Sequence, residues 1–266
     1  MFVKTSSLFP FGTLGVTLLT VAALSMPLLS LPAHAAEIRL LSAAAMQSVF
    51  KEITADFEKT SGHKLIIHYG TIGAINQRIL GGEEADLVIG SSLSMPVLVK
   101  KGKIDRTSIA SICKTAIGVV VPSGDPKRPI ASVEDFKKTL LTAKVIVYAD
   151  PARGGAAGIH VASVIEKLGI AEQLKPKTKL AAGGDITEVT LALGSGALGM
   201  TQISEMAAKP GAQVLGPLPN ELQNYTVFVG GIPSGVNEQR AAMDFIKYLK
   251  SPAAIAVIKA KGMQVD

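Results

Sequence analysis

Ile38-Arg39-Leu40-Leu41-Ser42-Ala43-Ala44-Ala45-Met46 is the stretch that decides the fold. Its first four residues read as a strand, and small residues follow at once. Met46, Val49, Phe50, Ile53 and Phe57 then recur at the spacing of one helix face, until Gly62 stops the pattern. The unit is a strand, a short loop of small residues and a helix start. The same unit returns along the chain. Residues 65–69 read as a strand that runs into Gly70-Thr71-Ile72-Gly73-Ala74, and Ile75, Ile79 and Leu80 make a helical face ending at Gly81-Gly82. Asp86-Leu87-Val88-Ile89-Gly90 has the continuous apolar character of a buried strand, residues 95–101 form a short helix, and residues 116–121 another strand.

Pro122-Ser123-Gly124-Asp125-Pro126-Lys127-Arg128-Pro129 breaks the alternation. It restarts with Ser132 capping a helix and Asp135 placed to cap back. Residues 145–149 are a strand, 157–168 a helix stopped by Gly169, 187–193 a helix, 197–201 a strand, and Val214-Leu215 a short strand. Gly216-Pro217-Leu218-Pro219-Asn220 is a second break. A strand at 225–229 follows, then a helix capped by Asn237 with Phe245, Ile246 and Leu249 on one face. Ser251-Pro252 opens a last helix, and Gly262 ends it.

Strand–helix alternation at this density predicts a parallel α/β fold. Two breaks about 95 residues apart predict a middle part inserted into a first, so that the chain crosses twice between two lobes. A two-crossover hinge is a natural way to build a cleft that closes on a ligand. The expected division is lobe 1 at 36–121 plus 225–266 and lobe 2 at 122–224.

The chain's first 35 residues set the compartment. Lys4 precedes an apolar run over 8–31, which ends at Pro32-Ala33-His34-Ala35. A basic start, an apolar middle and small residues three and one before a cut make a secretory signal peptide, cleaved after Ala35. The rival is a retained anchor, since the run is long enough for a bilayer core of roughly 30 Å. Pro10, Pro27 and Pro32 weaken it as a helix, and no cysteine near the cut suggests a lipid anchor. The expectation is a periplasmic protein with no stable membrane insertion after cleavage. ATP and nicotinamide cofactors are scarce there, so most intracellular activities are excluded.

Composition agrees. Cleavage leaves 231 of the 266 residues and removes one Lys and no acid, so the net charge falls from +6 to +5. The basic excess is scattered, with only short runs such as Lys100-Lys101-Gly102-Lys103. Nucleic-acid binding would want basic residues interleaved with exposed aromatics, and the chain has no Trp and 4 Tyr. Cys113 is the sole cysteine and sits in an apolar stretch, as a buried small hydrophobe does. No His has a ligand-like neighbour, so no metal site is expected, and no cofactor motif is present. Carboxylate pairs such as Glu83-Glu84 and Glu134-Asp135 fall on solvated faces, which leaves no catalytic residue to name.

Four segments share the loop-and-helix-start design: Ser42 to Met46, Gly70 to Ala74, Gly154 to Gly158 and Gly183 to Thr187. Small residues let a ligand approach the backbone. Helix N-termini offer unbonded N–H groups and partial positive charge, and ligands of open α/β sheets bind at these strand ends. The candidate binding residues are Ser42, Ala44, Ala45, Met46, Thr71, Ile72, Gly73, Asn76, Gly155, Ala156, Ala157, Ile186 and Gln202. Arg153 joins them as a guanidinium that could pair with a carboxylate or oxyanion. The alternative for each loop is plain tight packing.

These residues carry a resemblance. Leu41-Ser42-Ala43-Ala44-Ala45-Met46, Gly82-Glu83-Glu84-Ala85-Asp86-Leu87-Val88-Ile89, Ala149-Asp150-Pro151 with Ala157-Gly158-Ile159, and Gly196-Ala197-Leu198-Gly199-Met200 resemble bacterial extracellular solute-binding proteins of the type that includes periplasmic molybdate binders. The resemblance implies a two-lobed type II periplasmic-binding-protein fold and a monomer that delivers solute to an inner-membrane ABC permease. It also implies a small anionic ligand held near Ala45, Thr71, Ile72, Gly73, Ala157, Ile186 and Gln202. Ala45 replaces a family Ser, the loop from Gly70 is poorer in hydroxyls, and Gln202 stands for a family Tyr. A molybdate-like oxyanion and a small organic acid paired with Arg153 therefore both stay open. So do a module reporting to a membrane sensor and a secreted enzyme on the same fold.

Overall fold

The computed structural model describes residues 35–207, 209–236 and 239–265. Residues 1–34 of the expected signal peptide and the expected Asn237 cap lie outside the described residues. In chain order the elements are β1 (Glu37–Ala43), α1 (Gln47–Ser61), β2 (Lys64–Gly70), α2 (Ile72–Leu80), β3 (Leu87–Ser91), α3 (Met95–Lys100) and β4 (Ala110–Pro122). Next come α4 (Val133–Thr142), β5 (Val145–Ala149), α5 (Ala156–Lys167), α6 (Ala171–Leu174), β6 (Thr178–Ala181), α7 (Ile186–Leu193), β7 (Ala197–Gln202) and α8 (Ile203–Met206). The chain closes with β8 (Ala212–Pro217), β9 (Tyr225–Gly231), α9 (Gln239–Tyr248) and α10 (Pro252–Ala260).

Local chemistry sets the helix ends. Gly62 closes α1 in the left-handed conformation at φ 78°, where a Cβ would be strained. Thr71, Ser132 and Ser251 cap α2, α4 and α10 by accepting from the N–H groups of Ala74, Asp135 and Ala254. The short helix α6 and the strand β6 have no expectation behind them. The strand Thr-Lys-Leu-Ala is half exposed, so it lacks the apolar run that reveals a buried strand.

The described strands run in the order β2-β1-β3-β9-β4-β7-β5-β6, with β8 also on β4. The expectation of a parallel α/β fold holds for part of the sheet and is corrected for the rest. The pairs β1/β2, β1/β3, β5/β6 and β5/β7 are parallel, but β3/β9, β4/β9, β4/β7 and β4/β8 are antiparallel. The reason lies in the path of the chain. A chain that leaves one half of the molecule for the other must return, so the outgoing strand β4 and the returning strand β9 run opposite ways. They pair from Ala110↔Gly230 to Ala116↔Tyr225. Beyond Ala116, β4 changes partners, and Ile117 to Pro122 bond to β7 and β8 instead.

Each half has its own core. Phe50, Phe57, Phe228 and Phe245 fill one beneath α1, α9 and α10. Phe57 meets Phe245 edge-on at 4.8 Å between ring centroids. Phe136, Leu140, Ile146, Val161 and Leu198 fill the other beneath α4 and α5. Cys113 is buried in the first core, 3.7 Å from the Met46 sulfur and 3.6 Å from that of Met263, and burial pushes its thiol up to about 12. Among the described residues no helix is long and apolar enough to cross a membrane, and no cluster of His, Cys, Asp or Glu could hold a metal.

Candidate functional site

The carboxyl ends of β1, β2, β5 and β7 face one another across the two halves. A cavity of about 40 Å³ lies between them, lined by Ala43 to Ala45, Gly70 to Ile72, Ala149, Gly155 to Gly158, Gly183, Gly184, Thr201, Gln202, Glu205 and Phe228. All four small-residue loops contribute. Their lack of bulk has a measurable role in α5. A Cβ at Gly158 would stand 2.2 Å from the Ala149 carbonyl oxygen, so only glycine lets this helix start sit against β5.

The cleft is shut. Thr71 Oγ1 donates to the Arg153 carbonyl at 2.9 Å, and Gly73 N–H donates to the Gly154 carbonyl at 3.0 Å. On the other side Ser48 Oγ donates to the Ser204 carbonyl at 3.0 Å. Gly73 and Gly154 are so close that a Cβ on Gly73 would be 2.7 Å from the Gly154 Cα.

Donors inside the cavity come mainly from backbone. Gly155 caps α5 without a side chain, and Ala156, Ala157 and Gly158 form its first turn against the cavity. The N–H groups of a first turn have no partner within their helix, and their dipole favours negative charge. The turn over Ala44 to Met46 and the helix α7 likewise begin without a side-chain cap.

Acceptors are few. Gln202 is 4% exposed; its Nε2 donates to Thr226 Oγ1 at 3.0 Å, and its Oε1 is buried without a partner. Glu205, partly buried, accepts from Thr201 Oγ1. Burial pushes its carboxyl up to about 7. The Thr201 bond opposes that shift, while the nearby charges of Glu188 and Asp185 add to it.

The structure brings Ala44, Ala45, Thr71, Ile72, Gly155, Ala156, Ala157 and Gln202 to the cavity wall. Ser42, Met46 and Ile186 are buried behind it, with Ser42 Oγ donating to the Ala43 carbonyl at 3.2 Å. Asn76 lies within α2 with a buried, unpartnered Oδ1. Gly73 and Arg153 line an outer groove with Tyr69, Gln77 and Arg78, which joins the cavity at Gly70, Thr71 and Gly183. Sequence reasoning passed over Thr201 and Glu205. The available signal was an acid three residues after Gln202, in a segment otherwise of small and apolar residues. A wider hollow of about 770 Å³ lies beside Arg39, Glu84 and Asp86. It sits at the amino ends of β1 and β3, and its Arg39 is already paired with Glu84 and Asp86, with Nε 3.0 Å from Asp86.

Comparison with known proteins gives these features a context. Residues 38–264 match the family model described as "Bacterial extracellular solute-binding protein". The chain is 27% identical over 255 residues to an aconitate isomerase of a Pseudomonas species, covering 92% of this chain and 95% of that one. It is 30% identical over 241 residues to the molybdate-binding protein ModA of Rhodobacter capsulatus, covering 88% and 90%. The solved periplasmic molybdate-binding protein of Azotobacter vinelandii superposes with a TM-score of 0.72 at 19% identity, over 86% of this chain and 99% of that one. That likeness confirms the two-lobed type II binding-protein fold. The chain belongs to the bacterial extracellular solute-binding proteins.

Proposed function

We propose that this protein captures a small anion in the closed cleft and hands it to an inner-membrane ABC permease, acting as a periplasmic monomer after cleavage at Ala35. In this reading the lobes are 36–121 plus 225–266 and 122–224, and the strands β4 and β9 are the hinge. The observation that carries it is the uncapped first turn of α5, set against a shut cavity to which the other three small-residue loops also contribute. A water needs roughly 10–15 Å³ of such space, so the cavity has room for about three water-sized groups. That suits a tetrahedral oxyanion or a small monocarboxylate. Arg153, at the mouth, would meet the outer end of a longer acid. Oxyanion binders among the relatives favour the first ligand class, and the changed loop residues favour the second.

Thermal melts of ligand-free protein test this against molybdate, tungstate, sulfate, phosphate and a set of mono-, di- and tricarboxylates. A ligand at 100 times its Kd stabilises by about 2.7 kcal/mol. A shift with one anion class supports capture; no shift across the panel refutes it.

A second reading is an isomerase. Two observations favour it: the aconitate isomerase relative, and a carboxyl near neutral pKa in the cavity, where a proton-transfer group would be placed. The size of the cavity speaks against it, because a tricarboxylate exceeds the closed space. Incubation with cis- and trans-aconitate, followed by proton NMR, separates the two. Capture predicts no interconversion.

A further inference from the structure

Among the residues that line the cavity, Glu205 alone has an ionisable side chain. It stands on α8, directly after the strand end that carries Thr201 and Gln202. Its backbone is held from two sides. Thr187 Oγ1 donates to the Glu205 carbonyl at 3.3 Å, and the preceding Ser204 carbonyl accepts from Ser48 across the cleft. Closing the cleft therefore fixes Glu205 where it lines both the cavity and the outer pocket on the α1 side. Gln202 lines the same cavity, and its Oε1 is buried without a partner. A site built from backbone N–H donors thus also has two acceptor-bearing side chains, Glu205 and Gln202, in its wall. A fully deprotonated oxyanion would set its own oxygen against the Glu205 carboxylate with no proton between them, and an unmade buried bond is costly.

We propose that Glu205 selects the ligand by its proton: the cleft prefers anions that bring an O–H, a small 2-hydroxy acid or a protonated oxyanion, and accepts a fully deprotonated oxyanion only together with one proton taken from solution. The inference rests on the anion-capture reading and names its ligand class. The charged groups around Glu205 are consistent with it. Asp185 and Glu188, at and within the start of α7, add negative charge, while Lys209, paired to Glu188, acts the other way and more weakly. Lys51, Glu52 and Lys261 line the outer pocket on the α1 side, where Lys261 is paired to Glu52.

Calorimetric titration at pH 6, 7 and 8 tests this, in two buffers of different ionisation enthalpy. The probes are two matched pairs, glycolate with acetate and phosphate with sulfate, each against wild type and Glu205→Gln. Glycolate or phosphate should bind at least tenfold more tightly than its partner at pH 8, and which pair binds tells the organic from the inorganic source. Sulfate should take up one proton at pH 8, and its affinity should fall about tenfold per pH unit above about 7. In Glu205→Gln the sulfate dependence should vanish and the gap within each pair should close. Sulfate bound without proton uptake, or a variant that leaves every affinity and pH profile unchanged, overturns the proposal. If wild type binds none of these anions or molybdate, the anion reading falls, and this inference with it. Proton uptake in wild type decides the matter should the variant fail to fold.

Discussion

Gly73→Ala separates closure from folding. In the shut cleft a Cβ at position 73 would lie 2.7 Å from the Gly154 Cα and 3.0 Å from the Arg153 and Gly154 carbonyl oxygens. All three are backbone atoms, so no flexible side chain can move aside. Overpacking of this kind costs about 1–3 kcal/mol, and at about 1.4 kcal/mol per tenfold Kd should rise roughly 5–150-fold. The open protein has no such conflict. Gly73 is the second residue of α2 and is not among the positive-φ glycines, so alanine suits its helical backbone and adds up to about 1 kcal/mol of helix propensity. Calorimetry should therefore show weaker binding of the anion that wild type prefers, while the melting temperature without ligand is held or raised. A variant that binds like wild type would refute the claim that the 73–154 contact forms on closure. A variant that melts well below wild type without ligand would show instead that this glycine serves the fold.

Three further outcomes follow from the described contacts. Phe57→Ala should lose about 3–5 kcal/mol in urea unfolding, because Phe57 is 1% exposed and packs between Phe245 and Tyr248; a loss under 1 kcal/mol would mean the aromatic cluster is not a core. Cys113, buried and with its thiol pushed up to about 12, should not react with a disulfide reagent at pH 8 until denaturant is added; fast reaction of the native protein would contradict that burial. Glu205 moves from an ordinary value of 4.5 to about 7 on folding, so across that window the folded state holds a proton that the unfolded state has lost. Its contribution to stability is then full below pH 4.5, declines as pH rises to 7 and is flat above. The difference in urea midpoint between wild type and Glu205→Gln should change within that window and be constant above it, and a constant difference throughout would place the carboxyl in water.

Much of this was legible in the sequence because apolar periodicity and caps are local signals. The helix through Phe50, Ile53 and Phe57, stopped by Gly62, needed no tertiary information, nor did the caps at Ser132 and Ser251. The antiparallel course of β4 and β9 was not legible, since strand direction is set by where the chain must return. The site divided in the same way. Small-residue loops at helix starts announced the cavity wall, including Ala45, Thr71, Gly155, Ala156 and Ala157. Glu205 stayed hidden because an acid in a short helix usually faces water; only the closure of two halves puts it against the cavity. Arg153 shows the converse. Its loop reaches the site through backbone, with its carbonyl accepting from Thr71, while the residue itself lies at the outer groove.

The central claim is that one small anion occupies the space in front of α5. Ala156 is the first residue of that helix and lines the cavity, so Ala156→Leu sets three more carbon atoms into a space of about 40 Å³. Wild type and this variant should be titrated side by side by calorimetry with the anion that gives the largest melting shift. The account predicts one site per chain in wild type and no measurable heat of binding in a variant that keeps the circular dichroism spectrum of the wild type. Equal binding by both proteins would contradict it.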